Sequence, residues 1–174
     1  MNEMTVLMHL LSKKINKFHI GATKEDILKI LNLKGKNESL FFQDLIIHLS
    51  NYLEPIGLQV RFNPLNTRWY IAFETRSSDF ISANPFEGKP RLAATLFCSL
   101  ICCLKNNGIG KVQDLKEIRK KKKIIDDLKE LREMGYLDVD QSKNEVMLTP
   151  LIGYQLDLNK LFTKFALKLK DQEK

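Results

Sequence analysis

The sequence has few of the residues on which covalently linked, metal-bound or membrane-spanning structures depend. Its 174 residues include only three cysteines, Cys98, Cys102 and Cys103, and this odd, clustered count excludes a disulfide framework. We expect the three thiols to pack in a core, because no histidine or second cysteine pair lies near them in sequence to complete a metal site. No apolar run reaches the roughly 18 uncharged residues of a membrane-spanning helix. We therefore expect no metal, no cofactor and no membrane.

The charge of the chain is uneven. There are 28 Lys and Arg residues against 21 Asp and Glu, which gives a net charge of +7. An unbroken cationic run is formed by Arg119, Lys120, Lys121, Lys122 and Lys123. Such an excess permits binding to DNA or to an acidic protein. The first residues carry Glu3 in place of a basic leader, so we expect no secretory signal and a cytoplasmic location.

The first half of the chain predicts three helices followed by a β-hairpin. Apolar residues at three- and four-residue spacing predict helices over 4–15, over a short segment after Thr23, and over 39–52. Thr23 is a good N-cap, with Asp26 three residues later as in a capping box. Alternating apolar and polar residues then predict strands over 58–62 and 69–73.

The same order of elements recurs in the second half. Helices are predicted over 90–104, 111–118 and 124–134, a hairpin over 136–149, and a closing helix over 158–169 with Asp157 as its cap. We predict an α+β, mainly helical fold of two tandem winged-helix domains, 1–75 and 91–174, joined by the Ser-, Asn-, Pro- and Gly-containing linker 76–90. The alternative is a single mixed α/β domain of about 150 residues.

Groups that could perform catalysis are scarce and scattered. The chain has three histidines, His9, His19 and His48. None has a nucleophile or a metal partner beside it in sequence. Residues 108–111 resemble a phosphate-binding loop but lack its preceding strand, its spacer and its Ser or Thr. Asp126 and Asp127 are adjacent in a helix, point about 100° apart, and are expected on a solvated face. We predict that the protein is not an enzyme.

The second domain gives the stronger case for DNA. Its cationic run lies at the start of the third helix, and Lys129 and Arg132 continue along it, so these cations could meet phosphates. Asp126, Asp127, Glu130 and Glu133 place nearly as many anions on that helix, and it lacks the Asn, Gln and Ser side chains that read bases. We expect weak, sequence-independent contact through Arg119 to Lys123. A winged-helix DNA-binding transcriptional regulator is the alternative function.

The third helix of the first domain is apolar on nearly all sides, which suits a core or a protein interface better than DNA. The apolar residues of this half exceed what one small three-helix core should need, and they include Phe41, Phe42, Ile46, Ile47, Leu53 and Trp69. We predict a homodimer made through this half, with Phe41, Phe42, Ile46 and Ile47 at its interface.

A family resemblance rests on residues 92–137. The apolar helix, the triplet Glu117-Ile118-Arg119, the following helix and the closing Gly135-Tyr136-Leu137 resemble the second winged helix of the kite family, in its segregation and condensation protein B members. Kite proteins are the kleisin-interacting tandem winged-helix subunits of SMC complexes. In layout, 57–60 and 69–72 are similar to the first wing of that family, and the resemblance extends over about 4–162.

The resemblance implies a non-enzymatic accessory subunit that binds a kleisin, works with an SMC ATPase in chromosome condensation and segregation, and is nucleoid-associated. It implies dimerisation through the first winged helix and kleisin capture largely by the second domain and the linker, for which we select Leu96, Leu100, Tyr136 and Leu148. Lys120 stands where the family commonly has glycine, which implies a divergent, archaeal member. A tandem winged-helix subunit of membrane-remodelling machinery has the same architecture and stays open as a further interpretation.

Overall fold

A computed structural model describes residues 2–35, 37–74, 85–106, 108–120, 124–158 and 163. The chain divides into two compact units, Met1–Ser82 with Leu156–Lys174, and Ala83–Gln155. They are named the first and second unit below, and each is described by itself. Residues 76–84 of the predicted linker, and the predicted closing helix beyond Leu158 except for Thr163, lie outside the described residues.

The first unit contains three helices, a two-stranded ribbon and a three-stranded sheet. The helices are α1 (Glu3–Ser12), α2 (Lys24–Ile30) and α3 (Glu38–Leu53), and a 3-10 turn, Glu54–Ile56, follows α3. The ribbon is formed by β1 (Lys14–Asn16) and β2 (His19–Ile20), and the sheet by β3 (Ala22–Thr23), β4 (Leu58–Asn63) and β5 (Arg68–Phe73). The first helix is shorter than predicted, because Ile15 belongs to β1 and is exposed.

Strand β5 lies between β3 and β4, and both pairings are antiparallel. The hairpin of β4 and β5 is the wing of this unit, with Phe62 opposite Trp69. Strand β3 was not predicted. Gly21 permits its close pairing, because its φ is +77° and any Cβ there would overlap the carbonyl oxygen of Trp69.

The core of the first unit is formed by the inward faces of its helices. Leu7 and Leu11 of α1, Ile27 of α2, and Leu49 and Leu53 of α3 are fully buried. Their four-residue spacing on α1 and α3 is that of one helical face.

The predicted capping box at the start of α2 is confirmed. The Thr23 hydroxyl accepts a hydrogen bond from the Asp26 backbone N–H at 3.1 Å, and the Asp26 carboxylate accepts one from the Thr23 N–H at 3.3 Å. The two backbone N–H groups, which have no acceptor within the helix, are thereby paired.

The second unit repeats this plan. Its helices are α4 (Pro90–Lys105), α5 (Val112–Arg119), α6 (Ile124–Glu133) and α7 (Pro150–Gln155). Its strands are β6 (Ile109–Lys111), β7 (Leu137–Asp140) and β8 (Glu145–Leu148), in the sheet order β6-β8-β7. Neither β6 nor α7 was predicted.

The fold class is α+β, as predicted, with two winged-helix arrangements. In each unit three helices precede an antiparallel hairpin, and a short strand between the first two helices pairs with that hairpin. No helix within the described part of the chain has the length and apolar character needed to cross a bilayer.

Candidate docking grooves

The first unit carries an apolar groove between α3 and the wing. Its cavity volume is about 520 Å³. Its lining residues come from the start of α2, from α3 and from the hairpin: Lys24, Glu25, Phe42, Gln43, Ile46, Ile47, Phe62, Thr67 and Trp69. This cavity is named the first groove.

Aromatic side chains form the wall of the first groove. The rings of Phe62 and Trp69, opposite each other in the hairpin, have centroids 5.0 Å apart. The Trp69 ring also meets Phe42 of α3 edge to face, with 5.6 Å between centroids. Such contacts fix the rings in place, so the groove is a preformed surface for apolar side chains.

The lysine at the rim is already engaged. Lys24 Nζ donates a hydrogen bond to Ser39 Oγ at 2.8 Å and lies 5.6 Å from the centroid of the Phe42 ring. A phosphate would have to compete with both contacts. The first groove therefore favours a protein ligand over a nucleic acid.

The residues predicted for the dimer interface have different positions. Phe42 and Ile46 are only 4% and 9% exposed, and they belong to the core cluster of the first unit while reaching the groove. Phe41 is 39% exposed, and Ile47 is 55% exposed and lines the groove. Leu53 is fully buried, so part of the predicted apolar surplus is core.

The second unit has a groove in the equivalent place, between its third helix and its wing, with a cavity volume of about 310 Å³. It is named the second groove. Its lining is apolar at the floor and polar at the rim: Val112, Ile125, Leu128, Lys129, Arg132, Val139, Asp140, Gln141 and Asn144. Of these side chains, only Lys129 and Arg132 were predicted from the sequence to meet a ligand, and that ligand was the DNA phosphates.

The residues selected for kleisin binding are mostly interior. Leu96, Leu100 and Tyr136 are each less than a twentieth exposed, and Leu148 is half-buried. Leu96 and Leu100 follow Leu92 at four-residue spacing along α4 and hold the second unit together. A partner surface on this unit must therefore use other side chains, because these three cannot reach a ligand without unpacking the core.

The described part of the cationic run has two different environments. Arg119 is half-buried, and its Nη2 atom donates to the carbonyl oxygen of Arg91 at 3.5 Å. Lys120 is exposed and ends α5 with a left-handed φ of +48°. Lys121, Lys122 and Lys123 lie outside the described residues.

The expectation that Asp126 and Asp127 share a solvated face is wrong for Asp127, which is fully buried. Its Oδ2 atom accepts a hydrogen bond from Thr95 Oγ1 at 2.9 Å, and its Oδ1 lies 2.9 Å from Arg91 Nε. The signal was present in the sequence. Asp127 lies three residues after Ile124 and four before Leu131, which places it within the buried stripe of α6.

The cysteines lie within the second unit, where Cys102 and Cys103 are buried and Cys98 is half-buried. Burial raises the pKa of the Cys103 thiol to about 11, and its Sγ donates to the carbonyl oxygen of Val146 at 3.4 Å. A thiol with such a pKa is a poor nucleophile at neutral pH.

The histidines do not come together with other reactive groups. His9, His19 and His48 are all exposed, and the ring of His19 lies 3.1 Å from the side-chain amide of Asn16. Within the described ranges, no group of three His, Cys, Asp or Glu side chains is placed to hold a metal ion. The two grooves are the candidate functional features of the described residues.

Comparison with known proteins gives a distant likeness. No family profile matches the chain, and no curated protein matches it. Among solved structures, the chain is similar to the crystal structure of ScpB from Mycobacterium tuberculosis, at 11% sequence identity and a TM-score of 0.35. The likeness covers 84% of this chain and 88% of that one.

Proposed function

We propose that this protein is a non-enzymatic accessory subunit of an SMC–kleisin complex, which binds a kleisin, self-associates through its first unit and supports chromosome condensation and segregation at the nucleoid. The observation that carries the proposal is the first groove. It lies between the third helix and the wing, and it presents aromatic and aliphatic side chains there.

The chemistry of this groove supports a docking role. Phe42, Phe62 and Trp69 offer a fixed aromatic wall, and Ile47 at the rim is exposed. Buried aromatic anchors surrounded by aliphatic contacts are the usual centre of protein–protein interfaces. Among the described residues that line this groove, Lys24 is the one cation that a duplex would meet, and Ser39 already engages it.

A second copy of the chain is the proposed occupant of the first groove. Ile47 lines the cavity, Leu40 and Phe41 are apolar residues of α3 outside it, and all three are exposed. A twofold axis would bring the same surface of both copies together and cover these side chains twice.

Isolation of the native assembly tests the function. We expect tagged protein recovered from its own cells under low-salt conditions to bring down an SMC ATPase and a kleisin. A variant with Ile47→Glu separates self-association from partner binding, and Ile56→Glu is its matched control, since Ile56 is exposed but does not line the groove. Recovery of neither protein by the wild type contradicts the proposal.

A DNA-binding regulator is the second candidate, favoured by the exposure of Lys120 at the start of the lysine run. Replacing Lys120 to Lys123 with alanine should lower the slope of log affinity against log salt by about one for each lysine that pairs with a phosphate in the wild type. Sequence preference among duplexes would favour the regulator over the SMC-complex subunit.

A further inference from the structure

The charged residues of α6 separate onto two faces. Lys129 and Arg132 share a face with Ile125 and Leu128, at the spacing i, i+3, i+4, i+7, and all four line the second groove. The acidic residues of the helix lie elsewhere: Asp126, Glu130 and Glu133 occupy a neighbouring face about 100° away, and Asp127 is buried. The net charge of the whole α6 helix therefore differs from the charge that its groove-lining face carries.

Cations of α4 and the residue before it neutralise part of the acidic side of α6. Lys89 Nζ lies 3.0 Å from Glu130 Oε1, and Arg91 contacts both Glu130 and the buried Asp127. In the described part of the chain, neither Lys129 nor Arg132 forms an ion pair. Both side chains are exposed, so their charge is available to a ligand.

Asp140 is the one carboxylate among the described residues that line the second groove, and it serves the wing turn. Asp140 Oδ1 accepts hydrogen bonds from Ser142 Oγ at 2.6 Å and from the Ser142 backbone N–H at 2.9 Å. These bonds, the hydroxyl first, lower the pKa of Asp140 and hold it in its ionised form. Two cations without an ion-pair partner thus face one carboxylate whose hydrogen bonds are made within the wing.

We infer that the second groove binds a short segment of a partner protein in which an apolar side chain is flanked by carboxylates. The apolar residue packs on Val112, Ile125 and Leu128, and the carboxylates pair with Lys129 and Arg132. This inference rests on the proposed function, because it names the kind of segment that the accessory subunit holds. It also distinguishes the two grooves, since the cation among the described lining residues of the first groove, Lys24, is engaged by Ser39.

Duplex DNA fits this groove less well. The cavity of about 310 Å³ holds a few side chains rather than a duplex backbone, and its floor is aliphatic.

A randomised library of short peptides displayed on phage, selected against the full-length protein, tests the inference. We expect enrichment of an apolar residue beside Asp or Glu. The best peptide, measured by fluorescence anisotropy, should lose about tenfold or more in affinity in the double variant Lys129→Glu and Arg132→Glu, because close charge pairs at interfaces are worth that much. Amide shifts in NMR spectra should cluster on α6 and on the wing of the second unit.

The matched control is Lys105→Glu with Lys116→Glu, which makes the same charge change at exposed sites of the second unit that do not line the groove. It should retain wild-type affinity. The inference is overturned if no peptide is enriched, if the enriched peptides lack acidic residues, if both double variants lose affinity equally, or if a short DNA duplex alone binds at Lys129 and Arg132. Peptide binding without recovery of an SMC ATPase or kleisin contradicts only the proposed function, and the reverse contradicts only this inference.

Discussion

An ion pair joins buried Asp127 to Arg91, with 2.9 Å between the carboxylate Oδ1 and the guanidinium Nε. The aspartate is fully buried, whereas the arginine side chain is 55% exposed. Thr95 donates its hydroxyl hydrogen to the other carboxylate oxygen. These contacts fasten α6 to α4 inside the second unit.

Removing this carboxylate should destabilise the protein. We expect Asp127→Ala to lower the free energy of unfolding by about 1–3 kcal/mol, since it removes the buried carboxylate that the Thr95 hydroxyl and the Arg91 guanidinium share, while the hydroxyl keeps the Arg91 carbonyl oxygen at 3.1 Å. Asp127→Asn should cost less, because an amide oxygen still accepts from Thr95. Urea unfolding measures both, with exposed Asp126→Ala as the control, expected within about 0.5 kcal/mol of the wild type. Equal stability of the two alanine variants would show that the buried pair contributes nothing.

Gly21 should not tolerate a side chain. Its φ is +77°, and a Cβ would overlap the backbone of Trp69 across the β3–β5 pairing. Gly88 has a similar φ of +70° but open space around it. Gly88→Ala should therefore cost about 1 kcal/mol from its backbone conformation alone, and Gly21→Ala clearly more. The difference in melting temperature between the two variants measures the cost of the steric overlap at Gly21. Equal melting temperatures would mean that β3 can move away from β5.

The three thiols should differ in reactivity. Burial raises the pKa of Cys103 to about 11 and also raises that of Cys102, so at pH 8 about one Cys103 thiol in a thousand is ionised. We expect a thiol reagent to modify half-buried Cys98 first in the folded protein and the other two only on unfolding. Mass spectrometry of partly labelled protein identifies the site, with Cys98→Ser as the control. Rapid labelling of Cys103 in the folded state would contradict this account.

The pH dependence of stability should follow from the same thiol. Its pKa of about 11 in the folded protein exceeds the ordinary value of 9.0, so the unfolded chain releases this proton first as pH rises. The contribution is complete below pH 9.0 and is lost as pH rises towards about 11. We expect the free energy of unfolding to fall less steeply over this range in Cys103→Ala than in the wild type. Equal slopes would contradict the assignment.

The main architecture could be predicted from the sequence because it rests on periodicity. Leu7 and Leu11 in α1, and Leu92, Leu96 and Leu100 in α4, mark buried faces by their spacing alone. The change to alternation at residue 58 marks the wing in the same way. The capping box at the start of α2 is a local signal that needs no tertiary information.

Other features depend on contacts between distant residues. Strands β3 and β6 have two and three residues, too few to alternate, and they exist only because a hairpin lies beside them. Phe41 is exposed, whereas Phe42, which points about 100° away on α3, is core and contacts Trp69 of the wing. The second groove was missed because charges on α6 were counted along the helix rather than assigned to its faces.

Light scattering on the wild type is the most direct test of the central claim, that this protein acts by docking other polypeptides, beginning with a second copy of itself on the first groove. The chain has a mass of 20.2 kDa. We expect twice that mass at tens of micromolar protein, a folded monomer for Ile47→Glu, and a dimer for the control Ile56→Glu. A monomeric wild type, or an Ile47→Glu variant that remains a dimer, would contradict the claim.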